Sequence, residues 1–170
     1  MIPRNPVTYG AGEGVTSLPL LLRALAGARR AGRRIVFTNG VFDLLHVGHV
    51  RYLAAARRQG DILVVGVNSD ASVRRFKGPR RPIVPQAERA EMLAALAPVN
   101  HVVVFGDNTP ERLIRAIRPD VLVKGADWAR GAIVGGQFVE SLGGRVVRIR
   151  LARGRSTTNL VRRVLKLYRE

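Results

Sequence analysis

The fold class predicted for this chain is α/β: a single doubly wound, Rossmann-like domain with a five-stranded parallel sheet. Three observations predict it. Short apolar, β-rich runs alternate with segments of helical period from about residue 34 to the end, and strands joined through helices require right-handed crossovers and a parallel sheet. The stretch from Asp61 to Val67 is apolar almost without interruption, as in a strand covered on both faces. The length, 170 residues, is what one domain around one core commonly uses.

The elements follow in order. Residues 1–17, rich in Gly, Pro and Thr without periodicity, read as a flexible amino-terminal arm, which leaves 18–170 as the domain. Ser17 precedes a helix over 18–31, where Leu18, Leu21, Leu22 and Leu25 recur at helical spacing and Gly32 ends the run. A strand over 34–38, a helix over 47–59 and a strand over 61–67 come next. The polar stretch 69–85 reads as a connection to a helix over 86–96. A strand over 101–105, a helix over 110–117 with proline suited to its first turn, and a strand over 121–124 follow. A helix over 134–142, a strand over 145–149 and a helix over 158–168 complete the chain. In such sheets ligands bind beyond the carboxyl ends of the strands, near the switch in strand order. Segments 38–49, 68–81, 124–130 and 152–158 are therefore expected around one mouth.

Composition narrows the function. No apolar run approaches the roughly 18 residues of a membrane span, although 46% of residues are hydrophobic. The first residues lack an apolar stretch followed by a small-residue cleavage site, so no secretory signal is read there. Zero cysteines exclude disulfides and thiolate chemistry, and the cytoplasm is the expected compartment. Twenty-nine basic residues against 12 acidic ones give a formal charge of +17, which raises a polyanionic partner such as nucleic acid. The cations are spread in pairs such as Arg29-Arg30, Arg57-Arg58 and Arg74-Arg75, and aromatics are only 5%. That pattern attracts nucleic acid without reading it. Only Lys77, Lys124 and Lys166 are lysine, so a lysine here marks a place where a compact point charge is wanted over a planar fork. Lys166 lies in the terminal amphipathic stretch and is given no such role.

The sharpest pattern is His46-Val47-Gly48-His49, directly after a strand and at the start of a helix. Residues three apart on a helix share a face, so both imidazoles can address one ligand. The helix N-terminus adds unpaired N–H groups and a positive dipole end, and Gly48 allows close backbone approach, an arrangement suited to a triphosphate. A metal pair is the weaker alternative. Two imidazoles need further ligands, and the nearest acid, Asp43, precedes the helix. The third histidine, His101, sits at a strand edge and reads as structural.

Thr38-Asn39-Gly40-Val41-Phe42-Asp43 followed by this histidine turn resembles the signature of the cytidylyltransferase-like nucleotidyltransferases. Within them the chain is similar to the D-glycero-β-D-manno-heptose 1-phosphate adenylyltransferases. The supporting segments are Gly66 to Asp70, Lys77 to Pro82, Pro119 to Trp128 and Gly154 to Thr158. The match runs in uninterrupted order over about residues 20–165, and joint occurrence is more specific than any one motif. Two positions depart from that family's usual pattern: Val41 stands where cysteine is usual, and Ala126 where the family usually reads Lys-Gly-Gly-Asp.

The resemblance implies that a sugar 1-phosphate attacks the α-phosphorus of ATP and expels pyrophosphate, with Mg²⁺ accompanying the triphosphate. His46 and His49 are then expected on the ATP phosphates, with Lys77 and Lys124 as further catalytic cations. Thr38, Asn39, Gly40, Phe42, Asp43, Gly48, Asp127, Trp128, Ser156, Thr157 and Thr158 are expected at the nucleotide, and Arg80, Arg81 and Arg89 with Lys77 at the acceptor phosphate. For Asp43, two roles stay open, holding its loop through backbone hydrogen bonds or meeting magnesium. The resemblance also implies the stand-alone form, without the kinase to which this enzyme is often fused, and is compatible with a homodimer. Two rivals stand beside it: a cytidylyltransferase acting on glycerol 3-phosphate or a similar small phosphate, and a nonenzymatic nucleic-acid binder.

Overall fold

A computed structural model describes residues 14–150, 154 and 156–168. Its sheet is parallel throughout and has the order β1-β4-β3-β2-β5-β6. The strands are β1 (Gly14–Val15), β2 (Ile35–Gly40), β3 (Ile62–Asn68), β4 (His101–Phe105), β5 (Val121–Gly125) and β6 (Arg145–Ile149). The helices are α1 (Leu18–Arg30), α2 (Val47–Arg57), α3 (Asp70–Lys77), α4 (Gln86–Ala94), α5 (Glu111–Ile117), α6 (Gly136–Ser141) and α7 (Thr157–Leu167).

Strand alternation explains the layers. Along β2, Val36 joins one core with Tyr52, Leu53 and Ala56 of α2 and Ala90 and Leu93 of α4. Its neighbours Ile35 and Phe37 join the other, with Leu21 and Leu25 of α1, Leu113 and Ile114 of α5 and Val139 of α6. In β3, Leu63, Val65 and Val67 face the first core, and Ile62 and Val64 the second. Side chains two residues apart share a face, so a strand apolar at every position needs helices on both sides. The sheet therefore grows from β2 through β3 to β4 on one flank, then returns through α5 to place β5 on the other. Side chains close the opposite, amino-terminal edge: Asp120 Oδ2 accepts from Ile35 N at 2.7 Å, Asp61 Oδ2 from Arg34 N at 2.7 Å and Asn100 Oδ1 from Leu63 N at 2.8 Å.

The sheet has six strands where five are expected from the sequence. The sixth is β1, two residues long, lying within the stretch read as an arm and paired with His101 and Val102. The rest of that arm, 1–13, lies outside the described residues. Ser17 does occupy the N-cap of α1, without a side-chain cap bond. The polar stretch 69–85 contains α3, which the apolar pattern did not reveal because it buries only Ser72 and Val73. The other helices are one to three residues shorter than the periodicity suggests, except α7, which keeps its length and begins one residue earlier. Among the described residues no helix is long and apolar enough to cross a membrane.

Gly144 opens β6 where a Cβ would stand 2.9 Å from the carbonyl oxygens of Asp120 and Val139 and 2.7 Å from Val139 Cγ1. Backbone oxygens on two sides leave no room to relax. Gly144→Ala should lower stability by about 1–3 kcal/mol, as overpacking does, read as a reduced urea midpoint with an unchanged slope.

Candidate active site

The carboxyl ends of β2 and β5 meet at the point where the strand order reverses. Val36 and Phe37 register with Val121 and Leu122. Two residues further along, Asn39 stands beside Lys124, and Lys124 Nζ donates to Asn39 Oδ1. Lys124 Nζ also lies 5.9 Å from the ring centroid of Trp128, which is half-exposed, and Asp127 is exposed next to it. Burial holds the Lys124 ammonium down to about 8, against the opposing pull of the Asp127 carboxylate. The ammonium is met by the amide oxygen of Asn39, and Asp127 acts on it only through its charge.

Beyond β2 the chain turns through Phe42, held at φ +49° with its ring in the core, into α2. His46 is the N-cap of α2. Its ring stacks on that of His49 with centroids 3.8 Å apart and planes 17° from parallel, while Phe42 meets His49 edge-on at 5.3 Å. Both imidazoles thus stand together at a helix N-terminus whose first turn carries no acid. Burial, and secondarily the charge of His46, pushes His49 down to about 4. His49 Nδ1 is buried without a hydrogen-bond partner.

A second loop is tied to this turn. Asp43 is 3% exposed, its Oδ1 accepting from Ile83 N at 2.8 Å and Val84 N at 3.0 Å, and its Oδ2 pairs with Arg81 Nη1 at 2.8 Å. Of the two roles open for Asp43, the structure shows the loop-holding one. Lys77 and Arg80 are exposed on that loop. Lys77 ends α3, and Gly78 at φ +88° lets the chain leave the helix immediately after it. The Arg81–Pro82 peptide is cis.

Three residues expected at ligand positions have partners within the protein itself. Arg89 is fully buried and donates to Val84 O at 2.9 Å, Val41 O at 2.5 Å and Asn68 O at 2.8 Å, and to Asp70 Oδ1 at 2.7 Å. Its side chain has no exposed surface. The Thr38 hydroxyl is also fully buried, 2.7 Å from Tyr52 Oη, which donates to Val123 O at 3.3 Å. Burial therefore pushes Tyr52 up to about 12, with the Thr38 bond opposing and Asp127 adding to the shift. Arg81 pairs through Nη1 with Asp43 while its side chain keeps 23% of its surface exposed. The burial of Arg89 was beyond reach of the sequence, where one arginine among many shows no burial. That of Thr38 was within reach, since strand alternation puts it on the Val36 face.

The remaining predicted residues have simpler surroundings. Gly40 ends β2, where a Cβ would press on the Phe42 ring at 3.1 Å, and Gly48 is buried within the first turn of α2. Ser156 caps α7 by accepting from Asn159 N at 3.1 Å, with Thr157 and Thr158 in the first turn. Residues 152, 153 and 155 of that segment lie outside the described residues. His101 is buried at the start of β4, a structural place. Sequence reasoning missed Tyr52, which links β2, α2 and β5 beneath the site.

The family model described as cytidylyltransferase-like matches residues 37–163. A protein of Syntrophotalea carbinolica named bifunctional protein HldE is 58% identical over 142 residues, covering 84% of this chain and 29% of that protein. One of the same name from Geobacter sulfurreducens is 52% identical over 163 residues, covering 95% of this chain and 33% of that protein. The chain thus spans about a third of the curated relatives it matches. The crystal structure of a lipopolysaccharide core biosynthesis protein from Thermoplasma volcanium is similar, with 29% identity and a TM-score of 0.59, covering 71% of this chain and 98% of that one.

The two titrations are measurable. An unfolded histidine protonates near 6.5 and His49 only near 4, so the unfolded chain takes up the proton first. His49 should make the fold less stable as pH falls from about 6.5 towards 4. In NMR titrations of the free protein, the Lys124 ammonium should lose its proton near pH 8, and at lower pH in Asp127→Asn. An unmoved Lys124 midpoint in that variant would show the two groups to be uncoupled.

Proposed function

The chain belongs to the cytidylyltransferase-like family, and on that premise we propose that it transfers AMP from ATP to a heptose 1-phosphate, giving ADP-heptose and pyrophosphate. The observation that carries the transfer chemistry is the stacked His46–His49 pair at the α2 N-terminus, opening on the β2/β5 switch point beside Lys124. The heptose acceptor is supported by high identity to the bifunctional HldE proteins and by likeness to a lipopolysaccharide core biosynthesis protein.

An oxygen of the sugar 1-phosphate forms a bond to the α-phosphorus as the bond to the bridging β-phosphate oxygen breaks, and pyrophosphate leaves with that electron pair. A phosphate monoester is already anionic near neutral pH, so the attack needs no general base. The demand is electrostatic and positional. His46, His49 and the first N–H groups of α2 hold the triphosphate. His49 is neutral in the free protein and a bound polyanion raises its affinity for a proton, so its charge is called up where negative charge accumulates. Lys124 is a point charge at the α-phosphoryl group, and Asp127 and Trp128 border the nucleoside, the acid suited to ribose hydroxyls and the half-exposed ring to the base. Lys77 and Arg80 meet the acceptor phosphate. Ser156 to Thr158 offer hydroxyls and N–H groups from the opposite side. Mg²⁺ enters with ATP, held mainly by phosphate oxygens and water, because Asp43 is engaged by the 81–84 loop. With ATP as donor, the cytoplasm is the expected setting.

Pyrophosphate release with ATP or CTP, each paired with heptose 1-phosphate or glycerol 3-phosphate, tests the reading. ATP with the heptose phosphate should be the productive pair, and His46→Ala or His49→Ala should each lower kcat on the order of 100-fold to 1,000-fold. Release from CTP with glycerol 3-phosphate alone would replace this reading by the cytidylyl one. Salt-sensitive polynucleotide binding with no release from any pair would point to a binding protein.

A further inference from the structure

The buried guanidinium of Arg89 joins parts of the mouth that no strand or helix joins. Its four acceptors come from the turn after β2 (Val41), from the start of α3 and the residue ending β3 (Asp70, Asn68), and from the segment before α4 (Val84). Gln86, one turn earlier on α4, accepts from Asp70 N at 2.9 Å. Asp43 crosses the same gap in the other direction, from the histidine turn to Arg81, Ile83 and Val84. An arginine cannot shed its proton on burial, so it is tolerated only where acceptors stand in a fixed array. Filling that volume alone would ask for an apolar side chain. The array is the information: two loops, one carrying the histidines and one following Lys77, are held at a set distance.

We propose that Arg89 is a positioning residue of the transfer reaction, which with Asp43 registers the 77–85 loop against the histidine turn, so that the acceptor phosphate lies in line with the α-phosphorus. This rests on the assignment of Lys77 to the acceptor phosphate made above. The loop has little else to hold it, since Lys77, Pro79 and Arg80 are exposed. A near-attack geometry is sensitive to displacements of about 1 Å, so loosening the brace costs rate even where every ligand-touching group remains.

Arg89→Lys keeps a cation and loses the fork. It should raise KM for the sugar phosphate and lower kcat by about 10-fold to 100-fold, with KM for ATP within about twofold of the parent. In the Arg89→Lys background, Lys77→Ala should cost several-fold less than it does alone, because a loop already out of register gains little from its lysine. Hydrogen exchange supplies a readout without turnover: the Ile83 and Val84 amides should exchange at least 10-fold faster, while those of α2 keep their protection. Should Arg89→Lys fail to fold, Asp70→Asn, which removes the charged acceptor and leaves the carbonyls, should shift the same quantities in the same direction. Unchanged exchange at Ile83 and Val84, equal loss of affinity for both substrates, or a full Lys77→Ala penalty in the Arg89→Lys background would each overturn the proposal. If the parent protein releases no pyrophosphate from ATP and heptose 1-phosphate, the functional reading fails, while the exchange experiment still decides whether Arg89 braces the loop.

Discussion

Parallel strands all end at one edge, so where β2 stops decides what can meet there. β2 is paired on both sides, with β3 in one direction of growth and β5 in the other. The helices that leave the two flanks must pack on opposite faces of the sheet, and their first turns separate at the join. The crevice at the switch point is thus a consequence of chain direction before any functional residue is chosen. The histidine turn, Asn39, Lys124 and Asp127 inherit their proximity from it. So does Tyr52, which bonds Thr38 and Val123 O across that join and ties α2 to both strands.

Concentrating positive groups in such a crevice has a cost, and three bases, the half-buried His49 and Lys124 and the fully buried Arg89, meet it differently. His49 stays neutral, at about 4. Lys124 is lowered to about 8, so its charge is retained near neutrality with help from Asp127 and the Asn39 oxygen. Arg89 cannot take either course and instead consumes four acceptors, three of them backbone carbonyls. This ordering separates roles. The two groups whose charge can adjust lie at the carboxyl end of the sheet, and the group whose charge cannot adjust is sealed into the scaffold. The few lysines in an arginine-rich chain make the same distinction, since a guanidinium at position 124 would call for a wider array of acceptors than a point charge does.

The parts visible in the sequence were those that bury apolar side chains at a regular period. Five of six strands and the helices carrying wide apolar stripes followed from that signal. β1 was not visible because two residues carry no period, and α3 was not because it lies on the protein with a narrow contact. Within the site, the histidine turn could be read because residue type, spacing and strand-to-helix context coincide. Arg89 could not, because burial of a polar group depends on acceptors drawn from residues 41, 68, 70 and 84, none of which signals a guanidinium by itself. Thr38 marks the intermediate case: its place in a motif suggested a ligand, whereas its place in the strand alternation put it in the core.

The two departures from the family's usual pattern can be weighed on the same physical grounds. At position 41 the group that the fold uses is the carbonyl oxygen, which accepts from Arg89, and any L-residue supplies it. Valine in place of cysteine therefore leaves the brace intact and removes only a thiol. At position 126 the chain uses both backbone groups, Ala126 N donating to Ile149 O at 2.9 Å and Ala126 O accepting from Arg148 Nη2 at 2.8 Å. Among the described residues, the only non-glycine positions at positive φ are Phe42 and Arg118. Alanine at 126 thus needs no conformation reserved for glycine.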